Sequence, residues 1–367
     1  MAGPLLTAVP GLRIPVIVGE LLAGMIIGKT GFGIVDSANS TFTLLADIGF
    51  ALVMFVVGTH VPVRDTALRA GIPRAVARAA LVGAVAAVFG VVLAHGFGTG
   101  HAALYAVLMA SSSAAVALPI IDEFALTGPP VLSVKAQIAI ADAASIVLLP
   151  LVIDPSRAPR AALGAVAIAA CACVLFVVLR HFERKGTRKR VQKYSKQHEL
   201  AMELRFSLLM LFSLAAVATS THVSIMLAGF ALGLVVNGIG EPHRLARQLL
   251  GITEGFFGPL FFVWLGASLQ VRELGERPAF IALGVALGVG AVLVHCVGRV
   301  FGQPVPLGVM AAAQLGVPVA AATLGTQLGL LSAGEPSALI LGALITIVAT
   351  TVAGVVLKRR QTEAPAR

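Results

Sequence analysis

Charge is what this chain has least of. Only 12% of its 367 residues are Asp, Glu, Lys or Arg, about half the share of a soluble domain. A water-facing globular surface cannot be built from so few charges. Tryptophan occurs once and tyrosine twice. The three cysteines, Cys171, Cys173 and Cys296, all fall in apolar runs. The first two point to different faces of a helix, a poor arrangement for a metal, so all three read as small packing residues. The opening MAGPLLTAVPGLR lacks the basic region and small-residue cleavage site of a signal peptide. Alternating segments of about ten residues, the mark of a membrane β-barrel, are missing too. AGMIIGKT (Ala23–Thr30) comes near a phosphate-binding loop, but Ala23 stands where that loop needs its first glycine. No catalytic constellation and no resident cofactor are expected, and the chain reads as no enzyme.

What is present is apolar length. The chain is 58% hydrophobic with a mean hydropathy of +0.95. Runs long enough to cross about 30 Å of hydrocarbon recur throughout. Twelve spans are expected, at 14–29, 42–62, 74–95, 103–121, 131–153, 161–182, 203–220, 223–239, 253–270, 279–300, 306–330 and 337–357. Residues 1–10 read as the remnant of an earlier span. The fold class is therefore an all-α polytopic membrane protein in the lipid bilayer.

The net charge of +10 points to no nucleic acid here, because its placement follows the membrane. With residue 1 in the cytoplasm, 21 of the 27 Lys and Arg fall in cytoplasmic segments, including Arg74 and Arg78. Five fall outside, and Lys135 lies within a span. The positive-inside rule selects this orientation, a multi-pass protein of the cytoplasmic membrane with both termini in the cytoplasm. The basic run Arg180–Glu199 reads as a solvated loop held near anionic lipid. It divides one transmembrane domain, 1–367, into halves at 1–179 and 203–367, joined by loop 180–202.

Two halves of six spans suggest an inverted repeat, common among secondary transporters. The fourth span, LMASSSAAVALPIIDEFALTG, carries Pro119, and the eleventh, GVMAAAQLGVPVAAATLGTQLG, carries Gly316 and Pro318. Each proline alone is an ordinary kink. Interrupted helices at matching positions of two halves point instead to a binding site near the midplane.

The span after the first interruption contains AQIAIADAASIVLLPLV, with Asp142 as its one charge. A carboxylate at that depth costs about 2.5–3.5 kcal/mol on insertion scales and normally marks an ion or proton path. The bland alternative is an Asp capping a neighbouring helix break. Hard monovalent cations need oxygen ligands, and the hydroxyls of Ser111, Ser112 and Ser113 are at hand. The same serines also serve as small residues that let helices cross closely. Glu20 and Asp47 read as structural hydrogen-bonding groups. His60, His95, His101, His222 and His243 fall at span ends or in loops and call for no functional account.

Several stretches carry a resemblance to a known family. RIPVIVGELLAGMIIGKTGFGIV (Arg13–Val35) resembles the proline-led second helix of the monovalent cation/proton antiporters, and LLADIGFALVMFVVGTHV (Leu44–Val61) the helix that follows. SSSAAVALPIID (Ser111–Asp122) is similar to their interrupted fourth helix, and IADAASIVLLPL (Ile140–Leu151) to their ion-binding fifth. STHVSIMLAGFALGLVV (Ser220–Val236) and PLFFVWLGASL (Pro259–Leu269) resemble later spans. The likeness covers nearly the whole chain and is closest to the second branch, with Kef-type and NapA-type exchangers. It implies a dimerisation panel, a mobile core of crossed broken helices, a homodimer, and an essential aspartate at Asp142. Three departures stand out. Ala141 replaces the Asp, Asn or Gln usual before that aspartate. His295 stands where the family has a lysine, with an imidazole that changes charge near neutral pH. Gln314, Leu315 and Gly316 occupy the place of a basic–acidic pair.

The expected activity is exchange of Na⁺ or K⁺ for H⁺ by competition at one carboxylate. Protonated Asp142 is neutral, and deprotonated Asp142 needs a cation beside it. With Ala141 adding no second charge, exchange is expected to be electroneutral. Two other readings share the fold: a transport-inactive sensor, motivated by the departures above, and an organic-solute transporter.

Overall fold

In the computed structural model the described residues are 16–60, 66–153, 158–184, 202–220, 225–240, 249–268 and 278–363. Residues 1–10, most of the basic run from Arg180 to Glu199, His222 and His243 lie outside them. Among the described residues the regular structure is helical, without strands. In order these are α1 (Val16–Ile27), α2 (Ser40–His60), α3 (Thr66–Phe97), α4 (Ala102–Ala110), α5 (Ala114–Glu123), α6 (Pro129–Ile153) and α7 (Ala158–Arg184). They continue as α8 (Met202–Ser220), α9 (Ile225–Ile239), α10 (Leu249–Ser268), α11 (Pro278–Cys296), α12 (Val305–Ala311), α13 (Gly316–Gln327) and α14 (Glu335–Glu363). Helix α10 contains a π turn at Thr253–Phe257, and α11 tightens into a 3₁₀ turn at Val297–Phe301.

Every expected span has its counterpart in one helix or in a broken pair, α4–α5 and α12–α13. Among the described residues eight helices or pairs are long and apolar enough to cross a membrane, and three more apolar helices are shorter. Helix-forming leucine and alanine make these rods, and lipid leaves no alternative, since every backbone polar group must be satisfied within the segment.

The chain divides into two compact units that cut across the two halves of the sequence. One comprises Met1–Asn39, Thr66–Pro155 and Phe262–Arg367, and so holds α1, α3 to α6 and α11 to α14. Both broken pairs and Asp142 belong to it. Its helices approach through small residues: α11 meets α14 where a Cβ on Gly288 would press on the Gly342 carbonyl. The other comprises Ser40–Asp65 and Ser156–Phe261, with α2 and α7 to α9. Its centre is α2 against α9, where Gly58 and Gly233 bring the two backbones together. Leu52, Phe55, Leu211 and Leu232 are buried around that contact.

Two expectations are corrected. Cys171 and Cys173 do not pack; both are exposed on α7, whose side chains are largely turned outward. Arg78, counted among the cytoplasmic charges although within the expected span 74–95, is not at a solvated edge. It is buried in α3, where its guanidinium donates to Ser133 Oγ and to the Phe301 carbonyl, each at 2.9 Å. The second bond caps the last turn of the 3₁₀ segment, where a cation is favourable.

Candidate functional site

The interruptions fall beside the prolines rather than at them. In the first, Ser111 (φ −68°, ψ 149°) and Ser113 (φ −118°, ψ 107°) are extended, and α5 starts afresh at Ala114. In the second, α12 ends at Ala311 and α13 begins at Gly316 after Leu315 (φ −153°, ψ −68°). Pro119 lies inside α5, and Pro318 lies in the first turn of α13, where an N–H has no helical partner to lose. Short serine side chains compete with the helical ladder by bonding backbone groups, and here the serines themselves are extended.

A break leaves orphaned N–H and C=O groups that lipid cannot satisfy. The two breaks satisfy each other. The Ser113 N–H donates to the Ala313 carbonyl at 2.6 Å, and Ser112 Oγ donates to the Ala311 carbonyl at 2.5 Å. Gln314 Nε2 donates to the Leu108 carbonyl at 2.6 Å, which Ser111 Oγ also reaches at 2.7 Å. The Gln314 N–H donates to Thr346 Oγ1 on α14 at 3.0 Å. Thr350 Oγ1 reaches the Val309 carbonyl at 3.3 Å. The crossing is closed by neutral side chains.

Asp142 on α6 is 3% exposed. Its Oδ2 accepts the N–H of Ala114 at 2.8 Å, the first residue of α5. A helix N-terminus carries partial positive charge, so this is favourable for a carboxylate. Oδ1 has no hydrogen-bond partner among the described residues. The hydroxyls of Ser111 and Ser112 point to carbonyls rather than to Asp142. His295, 1% exposed on α11, faces the Ala291 carbonyl through Nδ1 at 2.9 Å and Ser112 Oγ through Nε2 at 3.4 Å. The structure thus brings Ser111, Ser112, Ser113, His295 and Gln314 together at the crossing, with Asp142 joined to it through Ala114.

Sequence reasoning missed Thr346, which gave no signal within an apolar run. It also missed three contacts at the ends of this unit. Glu335, fully buried, accepts from Tyr105 Oη at 2.6 Å and meets His101 Nδ1 at 2.7 Å. Lys135 pairs with Asp122 at 2.7 Å, and Gln303 Nε2 donates to Gln137 Oε1 at 3.0 Å. Glu335 was discoverable as an acid at the edge of a long apolar run.

Comparison with known proteins places this geometry. The family model described as "Sodium/hydrogen exchanger, transmembrane" matches residues 2–360. YjbQ of Bacillus subtilis (strain 168) is 25% identical, with 95% of this chain and 60% of the relative covered. The Na⁺/H⁺ antiporter NhaS5 of Synechocystis sp. is 27% identical over 80% of this chain and 42% of its own length. KefC of Salmonella paratyphi B, a glutathione-regulated potassium-efflux system protein, is 28% identical over 78% and 47%. The chain therefore spans about half the length of the curated relatives it matches. Among solved structures, the sodium proton antiporter MjNhaP1 from Methanocaldococcus jannaschii shares the fold, with a TM-score of 0.60 at 17% identity, covering 98% of this chain and 94% of the other. This chain belongs to the sodium/hydrogen exchanger transmembrane family.

Proposed function

We propose that the chain exchanges one monovalent cation, Na⁺ or K⁺, for one H⁺, with both ions taking turns at Asp142. The observation that carries this reading is the state of that carboxylate. One oxygen is fixed by the Ala114 N–H and the other has no partner among the described residues, in a side chain 3% exposed. A buried carboxylate without a counter-charge must hold either a proton or a cation. Oδ1 is where either would sit.

Electroneutral exchange follows from the neighbours. Ala141 brings no charge, and the polar side chains at the crossing, Ser111, Ser112, Gln314 and Thr346, are neutral and satisfied. His295 contributes through Ser112 as a positioning residue. The cytoplasmic membrane, cytoplasmic termini, two inverted halves and a homodimer complete the reading, resting on the Lys and Arg distribution and on the family resemblance.

The test is Asp142→Asn in inverted vesicles with a pH dye. Na⁺- or K⁺-driven proton release is expected to disappear, and its persistence would remove Asp142 from the site.

A further inference from the structure

One buried ionisable cluster lies outside this mechanism. Glu335 opens α14 and is fully buried. It is held from three sides: Oε1 by Tyr105 Oη at 2.6 Å and His101 Nδ1 at 2.7 Å, and Oε2 by the Ser332 N–H at 3.0 Å. Tyr105 is fully buried, whereas the His101 side chain is 29% exposed. Three donors thus converge on one carboxylate at a helix N-terminus. His101 precedes α4 and Glu335 begins α14, so the contact ties the starts of two helices.

We propose that His101 and Glu335 form a second proton-binding site, distinct from Asp142, that works as a clasp between α4 and α14. With neutral imidazole the clasp is one N–H···O⁻ hydrogen bond. A second proton makes it an ion pair whose acidic member is out of water, where a charge pair is much stronger. The exposed edge of His101 admits that proton. Among the described residues, the titratable group in contact with the pair is Tyr105 from α4. The described residues at the start of α11 and in the segment 328–334 add none.

The clasp also has a route to the crossing. Gln314 bonds α4 through the Leu108 carbonyl and α14 through Thr346. The same two helices are therefore tied twice, once at their starts and once at the break. Tightening the first tie fixes the spacing at the second, so proton uptake at His101 slows exchange. This last step rests on the proposed function; the proton site itself does not.

The test uses the full chain, wild type against His101→Gln and His101→Lys. Glutamine keeps a neutral donor, and lysine keeps a permanent cation. Melting temperature in detergent is read from pH 5.5 to 8.5. The stabilisation of wild type over His101→Gln should be present at low pH and fade as pH rises. Exchange is read in liposomes of phosphatidylethanolamine and phosphatidylglycerol, with pH changed on one side at a time. Protons compete at Asp142 in every variant, so the ratio of His101→Gln to wild-type rate carries the signal. It should be near one at pH 8 and about fivefold or more at pH 6 on one side only, with His101→Lys slow at both. Equal melting profiles for wild type and His101→Gln would overturn the site. A changed melting profile with equal exchange profiles would overturn the coupling. Wild type without exchange would refute the proposed function, and the melting profiles would still decide the clasp.

Discussion

The Oδ2 atom of Asp142 lies 2.8 Å from the backbone nitrogen of Ala114, joining the one acidic side chain of α6 to the start of a helix that exists only because its span is broken. Were α4 and α5 continuous, that N–H would be engaged in the helical ladder. The broken helix thus supplies both the donor that orients the carboxylate and the partial positive charge beside it.

This geometry makes position as important as charge. Asp142→Glu keeps the carboxylate but moves its oxygens by one methylene, off the Ala114 N–H. A displacement of about 1 Å can cost about a hundredfold in rate. Exchange by Asp142→Glu is expected to fall about tenfold to a hundredfold, while Asp142→Asn loses it. Initial rates of cation-driven proton release in proteoliposomes measure both.

Charge balance at the crossing is tested by voltage. One proton exchanged for one monovalent cation moves no net charge, so an imposed membrane potential of either sign should leave the exchange rate unchanged. A transported net charge would instead contribute about 2.3 kcal/mol per 100 mV, and a rate that follows the potential would reject one-for-one exchange.

Gln314 and Thr346 are the neutral groups that close the second break. Thr346→Val keeps the shape but leaves the Gln314 N–H without its acceptor, and Gln314→Ala removes a donor from the Leu108 carbonyl. A buried polar group left unsatisfied costs about 1–3 kcal/mol. Thr346→Val should lower thermal stability in detergent by about that amount, and Gln314→Ala by less on this account, because the Leu108 carbonyl keeps the Ser111 hydroxyl. The double variant should lose less than the sum, because both act on the same residue.

Arg78 predicts a different loss. Its guanidinium serves Ser133 on α6 and the Phe301 carbonyl at once. Lysine, a point donor on a flexible stem, cannot reproduce that fork. Hydrogen bonds from charged donors are worth about 1.5–3 kcal/mol. Arg78→Lys should lose a good part of one such bond in thermal unfolding, and Arg78→Met more than Arg78→Lys.

The helices were legible in the sequence because lipid imposes a one-dimensional rule: each crossing must be apolar for its whole length and must satisfy its own backbone. That rule fixed the number and order of the spans, and singled out Asp142 as a charge where hydrocarbon should be. The breaks were half legible. Pro119 and Pro318 marked the right helices, but the helices stop at Ser111–Ser113 and at Ala312–Leu315, and in the first break it is the serine hydroxyls, not the proline, that compete with the ladder. Partners were beyond reach. That Ser112 spends its proton on Ala311, that Gln314 bridges Leu108 and Thr346, and that His101 holds Glu335 across 234 residues depends on which helix ends meet in space. A hydrogen bond is decided by distance and direction within a few tenths of an ångström, and only the packed chain sets those.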